Sequence, residues 1–204
     1  MHHEFLAISG PAEGQLREKG SRFLSFAFRA GDEHQIANYL DALRKKYFDA
    51  THHCYAWRLG HDGNRFRAND DGEPGHSAGD PILGQIRSRN LTEVLVVVVR
   101  YYGGTNLGVG GLVKAYRESA AMALDAASII AVQVKYRWKL RCAYQYLPDL
   151  MKLVKSPGHE IIETQIGEDC TITAEIPAGF DLEARIEALA TRGIRLTCER
   201  LNHD

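Results

Sequence analysis

The sequence lacks the features that would take the protein to a membrane or out of the cell. Its first residues, MHHEFLAISGP, contain neither the basic segment nor the apolar core of a signal peptide. Its longest apolar run, from Val94 to Val99, is far shorter than the roughly 20 residues that a membrane-spanning helix needs. We therefore expect a cytoplasmic protein that makes no contact with a membrane.

The sequence also lacks closely spaced cysteines. No two of them form a C-x-x-C pair, which excludes the usual spacing of zinc ligands and the dense disulfide framework of small secreted domains. We interpret all four as buried thiols in a reducing compartment: Cys54, Cys142, Cys170 and Cys198.

An excess of positive charge is absent as well. The formal net charge is −1, and neither side of residue 130 is basic overall, so the chain lacks the global bias typical of many nucleic-acid-binding proteins. The composition is 45% hydrophobic and 25% charged, which predicts an ordinary globular fold. A chain of 204 residues is long enough for two modest domains.

The first part of the chain mixes strands and helices. Periodicity and turn residues predict a strand at Ser21–Arg29, a helix opened by Asp32 and continued by Ile36, Leu40, Leu43 and Tyr47, a strand at His53–Leu59, loop or hairpin at Gly60–Pro81, and a short helix at Pro81–Arg87.

A valine-rich strand forms the centre of this part. Glu93–Arg100, EVLVVVVR, shows no alternation of polarity, which favours a central strand covered on both faces and of the parallel type. The glycine-rich turn YYGGTNLGVGG follows it, and a helix is predicted over Leu112–Ala127.

The pattern changes beyond Ile130. Val134–Cys142 alternates apolar and basic residues without error, and the elements after it follow the order βαββαβ, which is typical of a ferredoxin-like domain. We place the boundary near residues 130–134, giving domains of residues 1–131 and 132–204. The predicted fold class is α+β.

The glycine-rich turn is the first candidate site. A glycine turn that leads into a helix offers unpaired backbone N–H groups to an anion, and basic residues flank this one. The residues concerned are Gly103, Gly104, Gly108, Gly110 and Gly111, with Arg100 and Lys114. The Walker A motif fails because Val109 stands where its lysine is required, and the dinucleotide motif fails at Val113. The alternative is that the glycines serve turns and close packing, with both cations solvated or salt-bridged.

A histidine and acidic set is the second candidate. His52 and His53 open a strand, and Asp70, Asp71 and Glu73 lie in a loop, so a metal or acid–base site is conceivable. Neighbouring histidines on a strand point to opposite faces, however, and polar residues before a glycine and a proline more often form a capped turn. No metal or cofactor is predicted.

A basic stripe on the predicted strand Val134–Cys142 is the third candidate site. Lys135, Arg137, Lys139 and Arg141 share one face, where they form either a cationic ridge for RNA or, as we favour, a solvated surface paired with acids such as Glu175 and Glu199. Tyr136 and Trp138 lie on the other face, away from any RNA.

Three segments together resemble the YigZ/IMPACT family. They are HHCYAWRLG (52–60), NDDGEPGHSAGDPIL (69–83) and VVVVRYYGGTNLGVGGLVKAY (96–116). The resemblance implies a first domain of the α/β sandwich type found in ribosomal proteins and elongation factors, and a second, ferredoxin-like domain similar to one of elongation factor G. It also implies a role near translation, because the eukaryotic relatives restrain a stress-responsive initiation-factor kinase by binding its activator.

These observations predict a non-enzymatic regulatory or binding protein that is linked to translation and contacts RNA, the ribosome or a translation factor. The alternative is an enzyme that acts on a phosphorylated small molecule or nucleotide. The predicted binding residues are those of the glycine-rich turn together with Tyr101 and Tyr102. Similarity to the family adds five more: His52, His53, Asp70, Asp71 and Glu73. The sequence leaves the oligomeric state open.

Overall fold

The computed structural model describes residues 3–201, which form two compact units. The first unit comprises residues 5–132, and the second comprises residues 3–4 and 133–201. The strands are β1 Glu4–Ile8, β2 Ala12–Glu18, β3 Ser21–Arg29, β4 His52–Leu59, β5 Arg65–Asn69, β6 Val94–Tyr101, β7 Ile129–Gln133, β8 Lys135–Ala143, β9 Glu160–Gln165, β10 Asp169–Pro177 and β11 Leu196–Arg200. The helices are α1 Glu33–Lys46, α2 Gly79–Ser88, α3 Gly108–Ala126, α4 Leu147–Val154 and α5 Leu182–Ala190.

The first unit is built on a five-stranded sheet in the order β2-β3-β6-β4-β5. Strand β6 lies at its centre and is buried on both faces, as its unbroken run of valines predicts. Val94, Val96 and Val98 belong to the hydrophobic core that α2 and α3 cover, whereas alternate residues such as Leu95 face the core beneath α1. Strands β1 and β7 pair in a separate two-stranded sheet.

The expected parallel character of β6 is wrong. It pairs antiparallel with β3 on one side and with β4 on the other. Strands β3 and β4 run in the same direction, and the hairpin between β4 and β5 reverses the chain before α2 leads into β6. Burial on both faces comes from the helices that cover the sheet on each side, and a continuous apolar run does not distinguish the two strand directions.

Helix α1 shows how local sequence sets an element's bounds. The Asp32 carboxylate accepts a hydrogen bond from the backbone N–H of Gln35 at 2.8 Å and so caps the start of the helix. Ile36, Leu40 and Leu43 form its buried face. The last turn carries basic residues, which interact favourably with the negative end of the helix dipole.

The second unit contains a four-stranded antiparallel sheet in the order β11-β8-β10-β9. Helices α4 and α5 contribute Leu150, Leu153 and Leu182 to its core, where they meet Leu140 and Ile172 of the sheet. The α+β class is confirmed, while the assignment of the units to the elongation-factor and ferredoxin-like domain types stays a prediction.

The cysteines are free thiols throughout residues 3–201. Cys54, Cys142 and Cys170 are buried as expected, whereas Cys198 is partly exposed. Within the same residues, no helix has both the length and the apolar character needed to cross a membrane.

Candidate functional site

The glycine-rich turn, residues 102–111, joins β6 to α3 and is largely exposed. Gly104 and Gly108 have φ angles of +82° and +70°, which side-chain-bearing residues rarely adopt. Helix α3 begins at Gly108, and no side chain within residues 3–201 caps it. Because the first amides of a helix have no partner within it, this start of α3 presents N–H groups to solvent.

The beginning of the turn is anchored to the protein. The Tyr102 amide donates to Thr51 Oγ1 at 3.1 Å, and the Gly103 amide donates to Ser21 Oγ at 3.2 Å. A Cβ on Gly103 would overlap the backbone of Gly20. Two amides of the turn are therefore already bonded internally, so the prediction of freed amides applies only to its second half.

Arg100 does not lie where an external anion can reach it. Only 4% of the residue is exposed; its guanidinium donates to Glu73 Oε1 at 2.5 Å and to Ser21 Oγ at 3.3 Å. Of the two interpretations given for Arg100, an anion contact or a salt bridge, the structure shows the salt bridge: the side chain of Arg100 points into the core face of the sheet, where Glu73 neutralises it. A role of Arg100 in binding stays a prediction.

Glu73 is the centre of a buried network. Its Oε1 also accepts a hydrogen bond of 2.7 Å from the Tyr116 hydroxyl, and His52 Nε2 lies 3.8 Å from it. The Cys54 thiol donates to the Tyr116 hydroxyl at 3.3 Å. Burial raises the pKa of both Tyr116 and Cys54, which keeps these two groups protonated at neutral pH.

The acidic loop is a capped turn. Asp70 accepts hydrogen bonds from the amides of His76, Ala78 and Gly79, at 2.8–2.9 Å, and thereby caps the start of α2. Burial acts to raise the pKa of Asp70, but these donors prevail and hold the pKa below its ordinary value. Asp71 Oδ2 accepts from the His53 amide at 2.6 Å.

The two histidines lie on opposite faces of β4, as expected for neighbours on a strand. His52 Nδ1 lies 2.7 Å from the Asp71 carbonyl oxygen, to which it donates, while His53 is 8% exposed on the α1 side of the sheet. Burial lowers the pKa of His53, although Asp71 acts in the opposite direction. Within residues 3–201, no group of His, Cys, Asp and Glu residues is arranged to hold a metal ion.

The remaining predicted residues lie near the surface. Tyr102 is 49% exposed, and the Arg100 guanidinium carbon lies 5.5 Å from its ring centre. Tyr101 donates through its hydroxyl to Asp49 at 2.8 Å. The Lys114 side chain is 73% exposed, with its ammonium 3.8 Å from Glu118.

A cavity of about 460 Å³ opens beside Tyr102, and sequence reasoning missed it. It brings three cations together with two tyrosine rings, and we call it the tyrosine cavity. Its lining residues are Arg17, Glu18, Lys19, Gly20, Ser21, Arg22, Tyr101 and Tyr102. The Arg22 guanidinium carbon lies 4.4 Å from the ring centre of Tyr101. A cationic pocket with an exposed aromatic ring can hold a phosphate and stack a planar group.

Sequence reasoning also missed Ser21, Cys54 and Tyr116, the other members of the network around Glu73. No local pattern marks them, because their partners lie 43 to 82 positions away along the chain. The tyrosine cavity had one weak signal, the Lys19-Gly20 pair between two strand-like segments, which is typical of a hairpin turn.

Comparisons with known proteins agree with the resemblance. The family model described as the Impact N-terminal domain matches residues 19–124, which include the tyrosine cavity from Lys19 onward and the whole network around Glu73. The IMPACT family member YigZ of Escherichia coli is 33% identical over 162 residues, covering 78% of this chain and 79% of that protein.

Two further comparisons show how far the likeness extends. The IMPACT family member YvyE of Bacillus subtilis is 33% identical over 130 residues; the match covers 64% of this chain but only 60% of that relative, less than two thirds of its length. A solved structure titled only as the crystal structure of a hypothetical protein is 29% identical, with a TM-score of 0.80 and full coverage of both chains.

Proposed function

Because the chain belongs to the IMPACT family, we propose that it is a translation-linked binding protein that contacts RNA through the surface around its glycine-rich turn. Membership of this family implies a role near translation. The RNA contact rests on the arrangement of charges, amides and aromatic rings in the first unit.

The observation that carries the proposal is the position of Tyr102. Its ring is half-exposed at the edge of the tyrosine cavity, next to Arg17, Lys19 and Arg22. Stacking on an exposed aromatic ring and charge contacts with the backbone are the two ways in which proteins hold single-stranded nucleic acid.

The start of α3 supports the same surface. Its exposed amides follow Tyr102 in the turn, and a Cβ at Gly104, Gly108 or Gly110 would meet no atom within 4 Å, so a ligand can approach the backbone closely. Exposed Lys114 lies in the first turns of this helix. This surface therefore offers cations, an aromatic ring and free N–H groups to one ligand.

The same geometry gives little support to the alternative of an enzyme that uses the acidic loop. The Asp70 carboxylate is occupied by three backbone amides, and that of Glu73 by Arg100 and Tyr116. Oxygens engaged in this way serve the fold of the loop, which leaves RNA binding as the function that the geometry favours.

The test compares Tyr102→Ala with Phe66→Ala. Phe66 is a matched control in the first unit, because its ring is 50% exposed and lies 4.2 Å from the Arg87 guanidinium carbon. With an end-labelled oligouridylate at low salt, we expect Tyr102→Ala to weaken binding by about tenfold, since a base–aromatic stack contributes about 1–3 kcal/mol. Equal affinity of the two variants, or no binding by the unaltered chain at low salt, would overturn the proposal.

A further inference from the structure

The open face of the second unit's sheet carries an unpaired group of cations. Strand β8 alternates, with Leu140 and Cys142 in the core beneath α4 and α5, and its basic residues on the other face. The predicted pairing with acids holds at one end of this row. Lys135 contacts Glu160 at 3.3 Å, and Arg137 contacts Glu175 at 2.9 Å.

At the other end of this row of basic residues, the cations are not paired with acids in the part of the chain that the structure describes. Lys139 and Arg141 of β8, together with Arg195 just before β11, have no acidic partner within 4.0 Å among residues 3–201. Glu199 lies opposite Lys139 in the strand register without forming such a pair. We call Lys139, Arg141 and Arg195 the sheet-end cation cluster.

A cavity of about 440 Å³ lies at this cluster. Its lining adds hydroxyl groups to the three cations and contains one carboxylate and no aromatic ring. The lining residues are Lys139, Arg141, Cys142, Ala143, Asp169, Thr171, Arg195 and Thr197. Threonine hydroxyls and basic side chains are among the groups that most often contact phosphate oxygens.

We propose that the sheet-end cation cluster binds the phosphodiester backbone of a nucleic-acid strand, without reading its bases. Alternate residues of a strand lie about 7 Å apart, so Lys139 and Arg141 form a row rather than one convergent site, and a row suits a linear polyanion. The lining that residues 3–201 form has no aromatic ring to serve as a stacking platform, so we expect contacts to the backbone and binding that is independent of sequence.

A nucleic acid fits this surface better than an acidic protein does. The centre of a protein interface is rich in aromatic anchors and poor in charge, whereas this cavity has three cations and no aromatic ring on its described lining. The inference does not rest on the proposed function, because it concerns different residues in the other compact unit.

The test is a charge-matched pair of triple variants of the full chain. One carries Lys139→Gln, Arg141→Gln and Arg195→Gln. The control carries Lys152→Gln, Arg185→Gln and Arg192→Gln, which remove the same charges from a different cavity, at the helices of the same unit, whose lining includes Phe180. Both variants therefore have the same net charge, and they differ only in where it is lost.

The probe is an end-labelled oligouridylate of about 20 nucleotides, titrated over a range of salt concentrations. Each phosphate contact in a single strand contributes about 0.7 to the slope of log affinity against log salt. We expect the sheet-end variant to lower the slope by about 2 and to weaken binding at least tenfold at low salt, while the control variant stays within about twofold of the unaltered chain. Equal behaviour of the two variants would overturn the proposal.

Two further arms identify the source of the phosphate and separate this site from the tyrosine cavity. Uridine monophosphate, which carries a single phosphate, is expected to compete only at concentrations far above those of the oligonucleotide; competition at equal concentration would contradict a row of contacts.

Combination of the sheet-end variant with Tyr102→Ala is expected to lower affinity by the product of the separate effects. Loss of affinity on Tyr102→Ala combined with unchanged affinity of the sheet-end variant would uphold the proposed function and contradict this inference.

Discussion

The Glu73 carboxylate and the Arg100 guanidinium form an ion pair of 2.5 Å beneath the glycine-rich turn, with side chains only 4% and 5% exposed. The pair joins the acidic loop to the end of β6, and Tyr116 extends it to α3. Three segments that lie far apart in the sequence are thereby fixed relative to one another, and the turn between β6 and α3 starts from this anchored base.

Replacement of Glu73 by Gln is expected to destabilise the protein by about 3 kcal/mol, because it leaves the buried Arg100 charge without a counterion. The urea dependence of unfolding measures the change. The exposed pair of Glu33 and Arg65, with side chains 60% and 64% exposed, supplies the control: Glu33→Gln is expected to change stability by less than about 1 kcal/mol. The double variant Glu73→Gln with Arg100→Met should recover part of the loss, and a double variant as unstable as the sum of both single changes would contradict this account.

Asp70→Asn is expected to destabilise the protein by about 1–2 kcal/mol at pH 7, because the side-chain amide of Asn cannot accept from the His76 amide and the negative charge at the start of α2 is lost. Asp41→Asn, at an exposed position of α1, is the control, with an expected change within about 0.5 kcal/mol.

The contribution of Asp70 depends on pH in a defined direction. Its pKa is lowered in the folded protein, so its stabilisation is present above the unfolded pKa of about 3.9 and is lost as the pH falls through the folded value. The difference between the unaltered chain and Asp70→Asn should therefore shrink in unfolding experiments below about pH 4. A difference that stays constant with pH would show that the carboxylate charge has no part in the cap.

Gly103→Ala tests the contact of the turn with the hairpin between β2 and β3. The added methyl group would overlap the backbone of Gly20, which cannot move aside as a side chain can, so we expect a loss of at least about 2 kcal/mol. Gly31→Ala is the control because a Cβ there meets no atom within 4 Å. Thermal unfolding of the two variants at equal melting temperature would show that the turn is not anchored at Gly103.

Local sequence was sufficient to predict several elements. The Asp32 cap and the apolar spacing of α1 define that helix, and strict alternation identifies β8, because both signals depend on neighbours within a few residues. Strands β1, β2 and β7 were missed, and β5 lies in a segment predicted only as loop or hairpin. Strands β2, β5 and β7 bury no residue fully; β2 alternates between half-buried and exposed residues, but its half-buried side has little apolar character.

The candidate site was predicted less well, for a physical reason. Helix α2 begins two residues before the predicted Pro81, because the Asp70 carboxylate caps it from nine positions upstream. The partner of Arg100 lies 27 positions away in the chain, and this pairing turns an expected surface cation into a buried one. Tertiary contacts decide which side chains pair, and such pairs leave no periodic pattern in the sequence. The glycines of the turn, Tyr102 and Lys114 lie at the surface, whereas Arg100 and Glu73 do not.

The most direct test of RNA binding at the glycine-rich turn uses Gly110→Glu. A Cβ at Gly110 meets no atom within 4 Å, and a carboxylate in the first turn of α3 favours the helix, so this variant should be at least as stable as the unaltered chain. Gly84→Glu adds the same charge at an equally open helical glycine of α2. The measurement is the affinity of both variants for the labelled oligouridylate at low salt. The account predicts that Gly110→Glu weakens binding about tenfold, whereas Gly84→Glu leaves it within about twofold; equal affinities of two folded variants would contradict it.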